Sequence, residues 1–397
     1  MGESLARSRH WYVASGLLAF GVLYIALRPW NLFESYMIGA PFGRDFVNFW
    51  FGGHLAWTGN LHLLFDLHGY DSAISAMFHH DSRDAFVFSY PPHALLFLAP
   101  FGLLPYIPAL LLWTACNLGC LVIVTRLFSR QGALALAVCL SPAALVMVLY
   151  GQFGGMIALA ATMALVHGEK RPWLAGLCLA FLSVKPQFAL VLGLFLVAKG
   201  AWRALFAGLF LTAIFVGASI AAFGLQPWAS FIGWTIPLHE KLVNQISGDG
   251  VSSTVSLYTG LRLVGVGVGI ARALQVLLTL SVFGAAMLLL RRAQPTPKIL
   301  AVALLAMVIG LPYSNDYDLA IAAPVFALAL FDEGAPASAR IPRSIATLLL
   351  WQAPILSVIA LDWRSMPIAN TAAVFGLMLL MVQIYRRPNL AHDVAPA

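Results

Sequence analysis

Long apolar runs recur along almost the whole chain, and short basic clusters separate them. Inside a bilayer no water can bond a free backbone N–H or C=O, so runs of this kind fold as helices. The composition agrees. Of 397 residues, 61% are hydrophobic and only 10% are charged, with a mean hydropathy of +0.86, whereas a soluble domain carries roughly a quarter charged residues. The pattern predicts an all-α polytopic membrane protein, a single integral-membrane domain over residues 1–397 with about 11–13 transmembrane helices. The net charge of +7 does not mark a nucleic-acid binder, because the basic residues lie between apolar runs rather than on one face. Cys116, Cys120, Cys139 and Cys178 all fall within apolar runs, with no zinc spacing or disulfide framework.

Candidate spans are 11–28, 106–127, 132–149, 153–167, 173–184, 186–198, 203–223, 270–290, 298–312, 317–331, 343–361 and 366–385. Basic residues favour the cytoplasmic side. With the N-terminus inside, Arg126 and Arg130, Lys170 and Arg171, Lys199 and Arg203, Arg291 and Arg292, Arg340 and Arg343, and Arg386 and Arg387 all fall there. Both termini are then cytoplasmic. The first run, Trp11 to Leu27, follows Arg7, Arg9 and His10 but lacks a small-x-small cleavage site, so it reads as an uncleaved span.

Two segments resist a simple crossing. Residues 91–104 are too short, since a 30 Å core needs about 20 helical residues, and they read as re-entrant or peripheral. Residues 173–198 fit either one kinked span centred on Lys185-Pro186 or a hairpin with Lys185 at its outer tip. Lysine at mid-bilayer costs about 2.5–3.5 kcal/mol, which favours the hairpin. Two half-length helices would also leave an indentation in the outer surface.

The topology gathers polar residues on that outer side. The loop of about 29–90 contains DFVNFWFGGHLAWTG, in which Phe46, Phe49, Trp50 and Trp57 supply bulky apolar groups and Asp45, Asn48 and His54 supply polar ones, as in an interfacial helix. A second outer loop, about 224–269, ends in GVGVG, which does not meet the GxGxxG phosphate pattern. Asp45 is either a helix N-cap or a general base whose carboxylate takes a proton from an attacking hydroxyl. Lys185 is either a snorkelling surface lysine or the cation for a phosphate, and Arg44 either shares that role or pairs with Asp45. Tyr90, His93 and Gln152 lie at the outer ends of apolar segments, where they are either sugar contacts or, for Tyr90, part of an interfacial aromatic belt. Asn315, Asp316, Tyr317 and Asp318 form a tight outer loop and are candidate substrate contacts. Turn formation accounts for Asn315 and Asp316, while Asp318 enters an apolar span, where acidic groups face a cavity or a partner. Glu240 and Asp249 are weaker candidates, and Asp332 and Glu333 read as loop solvation on the inner side. HExxH, Walker A, GxSxG and Cys/His metal clusters are absent, and the sequence reading names no metal and no cofactor.

The segments GRDFVNFWFGGHLAWTGNLHLLFD, YPPHALLFLAPFGLLP, GQFGGMIALAATMAL, RPWLAGLCLAFLSVKPQFAL and PYSNDYDLAIAAPVFAL follow the order seen in bacterial glycosyltransferase family 87. The chain resembles these integral-membrane GT-C enzymes, which are similar to polyprenol-phosphate-mannose-dependent α-1,2-mannosyltransferases, over about residues 40–330. The resemblance implies a polyprenyl-phosphate sugar donor, inversion at the sugar and a catalytic aspartate in the first outer loop, a position that only Asp45 matches. Some members carry a histidine where this chain reads Asn315-Asp316-Tyr317-Asp318, and here the chain departs from the pattern.

The expectation is a glycosyltransferase of the bacterial inner membrane with an extracytoplasmic site, moving a hexose such as mannose. Its partners would be the polyprenyl-phosphate donor, a glycolipid or glycan acceptor and membrane lipid, with no nucleic acid. The competing reading is a transporter or flippase, in which polar groups line a pathway through the bilayer.

Overall fold

The computed structural model describes residues 43–78, 86–238, 254–331, 341, 345–360 and 367–385. The expected first span at 11–28 lies outside them, as do Arg340, Arg343, Arg386, Arg387, Glu240, Asp249, Asp332 and Glu333. The described residues are almost entirely helical and contain no β-strand, only an isolated bridge between Thr254 and Asn315. This is an all-α, multi-pass membrane protein.

Among the described residues, helices α1 (Phe46–Thr58), α2 (Leu67–Phe78) and α3 (Ala94–Gly102) precede the first full-length span, α4 (Tyr106–Phe128). Next come α5 (Gly132–Cys139), α6 (Pro142–Tyr150), α7 (Gly154–His167), α8 (Pro172–Leu182), α9 (Pro186–Ala198) and α10 (Trp202–Phe223). The short α11 (Gln226–Ser230) runs on into a π-helical turn, Phe231–Thr235. The remainder comprises α12 (Leu257–Leu263), α13 (Val268–Arg292), α14 (Pro297–Ile309), α15 (Ala323–Phe331), α16 (Ile345–Ala360) and α17 (Ile368–Tyr385).

Among the described helices, α4, α10 and α13 are long and apolar enough to cross a membrane singly. The expected span 132–149 is broken: α5 and α6 meet at 49°. The break falls at Ser141-Pro142, where proline cannot donate to the preceding turn and the Ser141 hydroxyl instead caps Ala144 N–H at 3.2 Å. Exposure separates lipid-facing helices from central ones. On α10, Phe206, Leu209 and Phe210 are exposed, whereas every residue of α14 from Lys298 to Ile309 is buried. Two short, buried helices, α14 and α15, therefore form the middle of the bundle.

The ends of α8 and α9 settle how residues 172–198 run. Lys199 Nζ lies 3.2 Å from Glu169 Oε1, and a Cβ on Gly168 would touch Leu196 and Ala201. The chain therefore goes out along α8 and returns along α9, as a hairpin with Lys185 at its tip. One kinked span would hold those ends roughly 35 Å apart at 1.5 Å per residue.

Helix α3 is nine residues long, about 14 Å, and packs antiparallel on α1. Trp50 and Trp57 donate their indole N–H groups to the carbonyls of Leu104 at 2.8 Å and Ala99 at 2.6 Å. The approach requires glycine on both helices. A Cβ on Gly102 would sit 2.2 Å from the Gly53 backbone, and one on Gly53 would sit 2.4 Å from the Leu98 carbonyl. Helix α1 is buried on most of its surface, with Phe46, Val47, Phe49, Trp50 and Phe51 enclosed and Trp57 exposed near its end.

Candidate active site

Three turns and the start of α1 converge on one cavity of about 350 Å³. The turns are Gly151-Gln152-Phe153 between α6 and α7, the α8–α9 tip, and the loop between α14 and α15. A wall from the π-helical turn closes another side through Phe231, Thr235 and Ile236.

Asp45 enters this cavity from the residue before α1. Its backbone N–H donates to the Tyr150 carbonyl at 2.9 Å. That contact depends on Gly151, whose φ of +67° suits glycine and whose Cβ would come within 2.6 Å of Phe46. Asp45 sits at the N-cap position but makes no side-chain cap. Its Oδ2 instead accepts a hydrogen bond of 2.7 Å from Gln152 Nε2. Burial raises the Asp45 pKa above the ordinary value of 3.8, opposed by the Gln152 hydrogen bond and by the charges of Arg44 and Lys185. The result is a carboxylate that faces the cavity and can take a proton.

Lys185 ends the short turn between α8 and α9, where Pro186 starts the return helix. Its ammonium is buried and donates to Asp318 Oδ1 at 2.9 Å. The rings of Phe153, Phe188 and Tyr317 lie 5.0, 5.6 and 5.3 Å from Nζ, a distance at which aromatic faces stabilise a cation. Asp318 Oδ2 accepts the Asn315 backbone N–H at 3.1 Å, and the Asn315 and Asp318 side chains together form a capping box at the start of a 3₁₀ turn. Asn315 Nδ2 donates to the Tyr317 hydroxyl. The β-bridge from Thr254 fastens this loop to the second long connection.

Of the residues singled out from sequence, Asp45, Tyr90, Gln152, Lys185, Asn315, Tyr317 and Asp318 line the cavity. Three others do not. Arg44 lies beside Asp45 and acts on its charge from outside the lining. The His93 ring stacks on Trp228 at 5.7 Å, and its Nε2 bonds to Ser183 Oγ at 2.8 Å, two residues before Lys185. Ser183 donates its own proton to the Ala180 carbonyl, so His93 is the donor in that pair. Asp316 turns away toward α16, accepting from the Ser357 hydroxyl and from the Tyr317 N–H at 2.7 Å. Burial pushes its pKa up to about 7.

Asn48, Ser89, Gln187, Thr235 and Tyr313 also line the cavity and were not singled out as site residues. Ser89 and Gln187 stand beside named residues, and Asn48 lies one helical turn beyond Asp45. These adjacencies were readable, whereas nothing in the sequence pointed to Thr235 or Tyr313.

A comparison with protein families matches residues 88–312 to glycosyltransferase family 87. The match includes Tyr90, Gln152 and Lys185, while Asp45 precedes it and the Asn315–Asp318 loop follows it. No curated protein and no solved structure matches the chain. The family interval covers more than half of the sequence, and the helical architecture is that of a membrane protein. The chain belongs to glycosyltransferase family 87 and is a membrane glycosyltransferase.

Proposed function

We propose that this enzyme transfers a hexose, in the first instance mannose, from a polyprenyl-phosphate donor to a hydroxyl of an extracytoplasmic glycolipid or glycan, with inversion. One observation carries the reading: a carboxylate, Asp45, and an ammonium, Lys185, share one cavity of about 350 Å³. That volume is at the lower end of the roughly 300–1,000 Å³ usual for small-ligand sites. The donor's sugar and phosphate would occupy the cavity, with its isoprenoid tail in lipid. The basic clusters between spans support a cavity that opens on the extracytoplasmic face of the bacterial plasma membrane.

Inverting transfer needs a base on the acceptor side and charge stabilisation on the leaving-group side. Asp45 supplies the first. It takes the proton of the attacking hydroxyl as that oxygen bonds to the anomeric carbon and the bond from that carbon to the phosphate oxygen breaks. Gln152 holds the Asp45 carboxylate in place through Oδ2, leaving Oδ1 for the acceptor. Lys185 supplies the second, since the electron pair of the breaking bond stays on the phosphate. Tyr90, Asn315 and Tyr317 provide hydroxyl and amide groups for the sugar. Arg44, His93 and Asp316 support the site from behind. Arg44 biases Asp45, His93 buttresses the lysine tip through Ser183, and Asp316 fixes the loop to α16.

The test is purified full-length protein in lipid vesicles with radiolabelled hexose presented either as polyprenyl phosphate hexose or as nucleotide sugar. The expected result is transfer to membrane glycolipid from the polyprenyl donor alone, with inverted configuration. Transfer from the nucleotide sugar, or retention of configuration, would overturn the reading.

A further inference from the structure

We infer that Asp318 is a product-release residue: its fixed carboxylate beside Lys185 admits a phosphodiester donor but weakens the grip on the phosphomonoester left after transfer. This inference rests on the reading of Lys185 as the group that faces the donor phosphate.

A lysine alone would hold product more tightly than substrate. The donor is a diester with one negative charge, whereas polyprenyl phosphate carries close to two at neutral pH because its second pKa is about 6. An isolated ammonium attracts the second charge as strongly as the first, and product would accumulate on the enzyme. The structure does not leave this ammonium isolated. Among the described residues, Lys185 is the one lysine or arginine lining the cavity, and two carboxylates, Asp45 and Asp318, line it too. Asp318 lies 2.9 Å from Nζ and is itself buried.

Asp318 also cannot swing aside when phosphate arrives. Its second oxygen is held by the Asn315 N–H, and the loop behind it is tied to Thr254 by the β-bridge and to α16 through Asp316 and Ser357. Any phosphate that reaches Lys185 therefore sits near a negative charge that stays put, in a partly dry site where screening is weak. The charges balance through the cycle. As the bond from the anomeric carbon to the phosphate oxygen breaks, the phosphate gains one negative charge while Asp45 loses one by taking the acceptor proton. When Asp45 then gives that proton to water, the cavity holds both carboxylates and a doubly charged phosphate against one ammonium, and the phosphate is expelled.

The probes are farnesyl phosphate, a monoester, and methyl farnesyl phosphate, the matching diester, each used as an inhibitor of the reconstituted full-length enzyme. Asp318→Asn keeps an oxygen for the Asn315 N–H but removes the charge. It should tighten inhibition by farnesyl phosphate by about tenfold or more, and inhibition by the singly charged diester by about the square root of that factor, roughly threefold. Equal tightening of both probes, or none, would overturn the inference. If Asp318→Asn does not accumulate, the native enzyme gives the same answer between pH 5 and 8. As the monoester loses its second proton, it should inhibit progressively less well relative to the diester; improvement would overturn the inference. Asp45, Asp316, Tyr90, Tyr313 and Tyr317 are the other titratable groups around this pair, so the series is repeated as probe binding to Asp45→Asn and to Asp316→Asn. Loss of the trend in either would assign it to that residue and overturn the inference. Lys185→Met separates the two levels of the argument. Unchanged inhibition by both probes would sink the phosphate reading of Lys185 and this inference with it. Weakened inhibition by both, with the native preference retained in Asp318→Asn, would sink this inference alone.

Discussion

Asp45 and Gln152, 107 positions apart, are joined by a 2.7 Å hydrogen bond in which the amide donates to the carboxylate. The bond favours the ionised form of Asp45, while burial favours the neutral one. A base works only when ionised, so activity should fall as the pH drops through the Asp45 pKa, at a pH above that of an ordinary aspartate. Removing the amide donor in Gln152→Leu takes away a contribution that lowers this pKa. The acidic limb of the kcat/KM profile should therefore move to higher pH. An unmoved limb would mean that Asp45 does not govern it.

The Lys185–Asp318 pair is buried on both sides, so removing one member strands the other. Lys185→Met should destabilise the protein by about 3–5 kcal/mol, seen as a lower thermal unfolding midpoint in detergent. Adding Asp318→Asn to that variant should recover most of the stability without recovering transfer. Recovery of both would make the pair purely structural.

Close packing of α1 on α3 leaves no space for a side chain at Gly102. Gly102→Ala should cost about 1–3 kcal/mol through forced separation of the two helices. It should also lower activity, because Asp45 begins α1. Unfolding curves and transfer rates on the same preparation check both effects.

Asp316 offers a separate pH dependence, one of stability. Its folded pKa of about 7 lies above the ordinary 3.8, so the folded state binds a proton that the unfolded state has lost. Stability from this group is present below the unfolded value and is lost as the pH rises toward 7. Asp316→Asn keeps an acceptor for Ser357 and should flatten the decline in unfolding midpoint between pH 5 and 7. An unchanged slope would assign that pH dependence to other groups.

Much of the helical layout could be read from sequence because lipid enforces it: apolar runs must be helices, and basic clusters must end them. The Lys185 tip was legible for the same reason, since two half-length helices and the cost of a mid-bilayer lysine both favour a hairpin. The break at Ser141-Pro142 was missed because the apolar run continues through it. The site was legible as a set of residue types but not as pairs. Asp45 meets Gln152, and Lys185 meets Asp318, across 107 and 133 positions, and no local pattern encodes such contacts. His93 and Asp316 show the converse limit. Each lies within three positions of a cavity residue, yet His93 meets Ser183 and Asp316 meets Ser357.

The most direct measurement is the single-turnover transfer rate of Asp45→Asn, taken with donor binding on the same reconstituted protein. Asparagine preserves an oxygen and the size of the side chain but cannot take the acceptor's proton. Donor affinity should stay within a few-fold of native while the transfer rate falls by roughly 10²–10⁴. Transfer at the native rate with native affinity would remove Asp45 as the base and, with it, the mechanism built on this cavity.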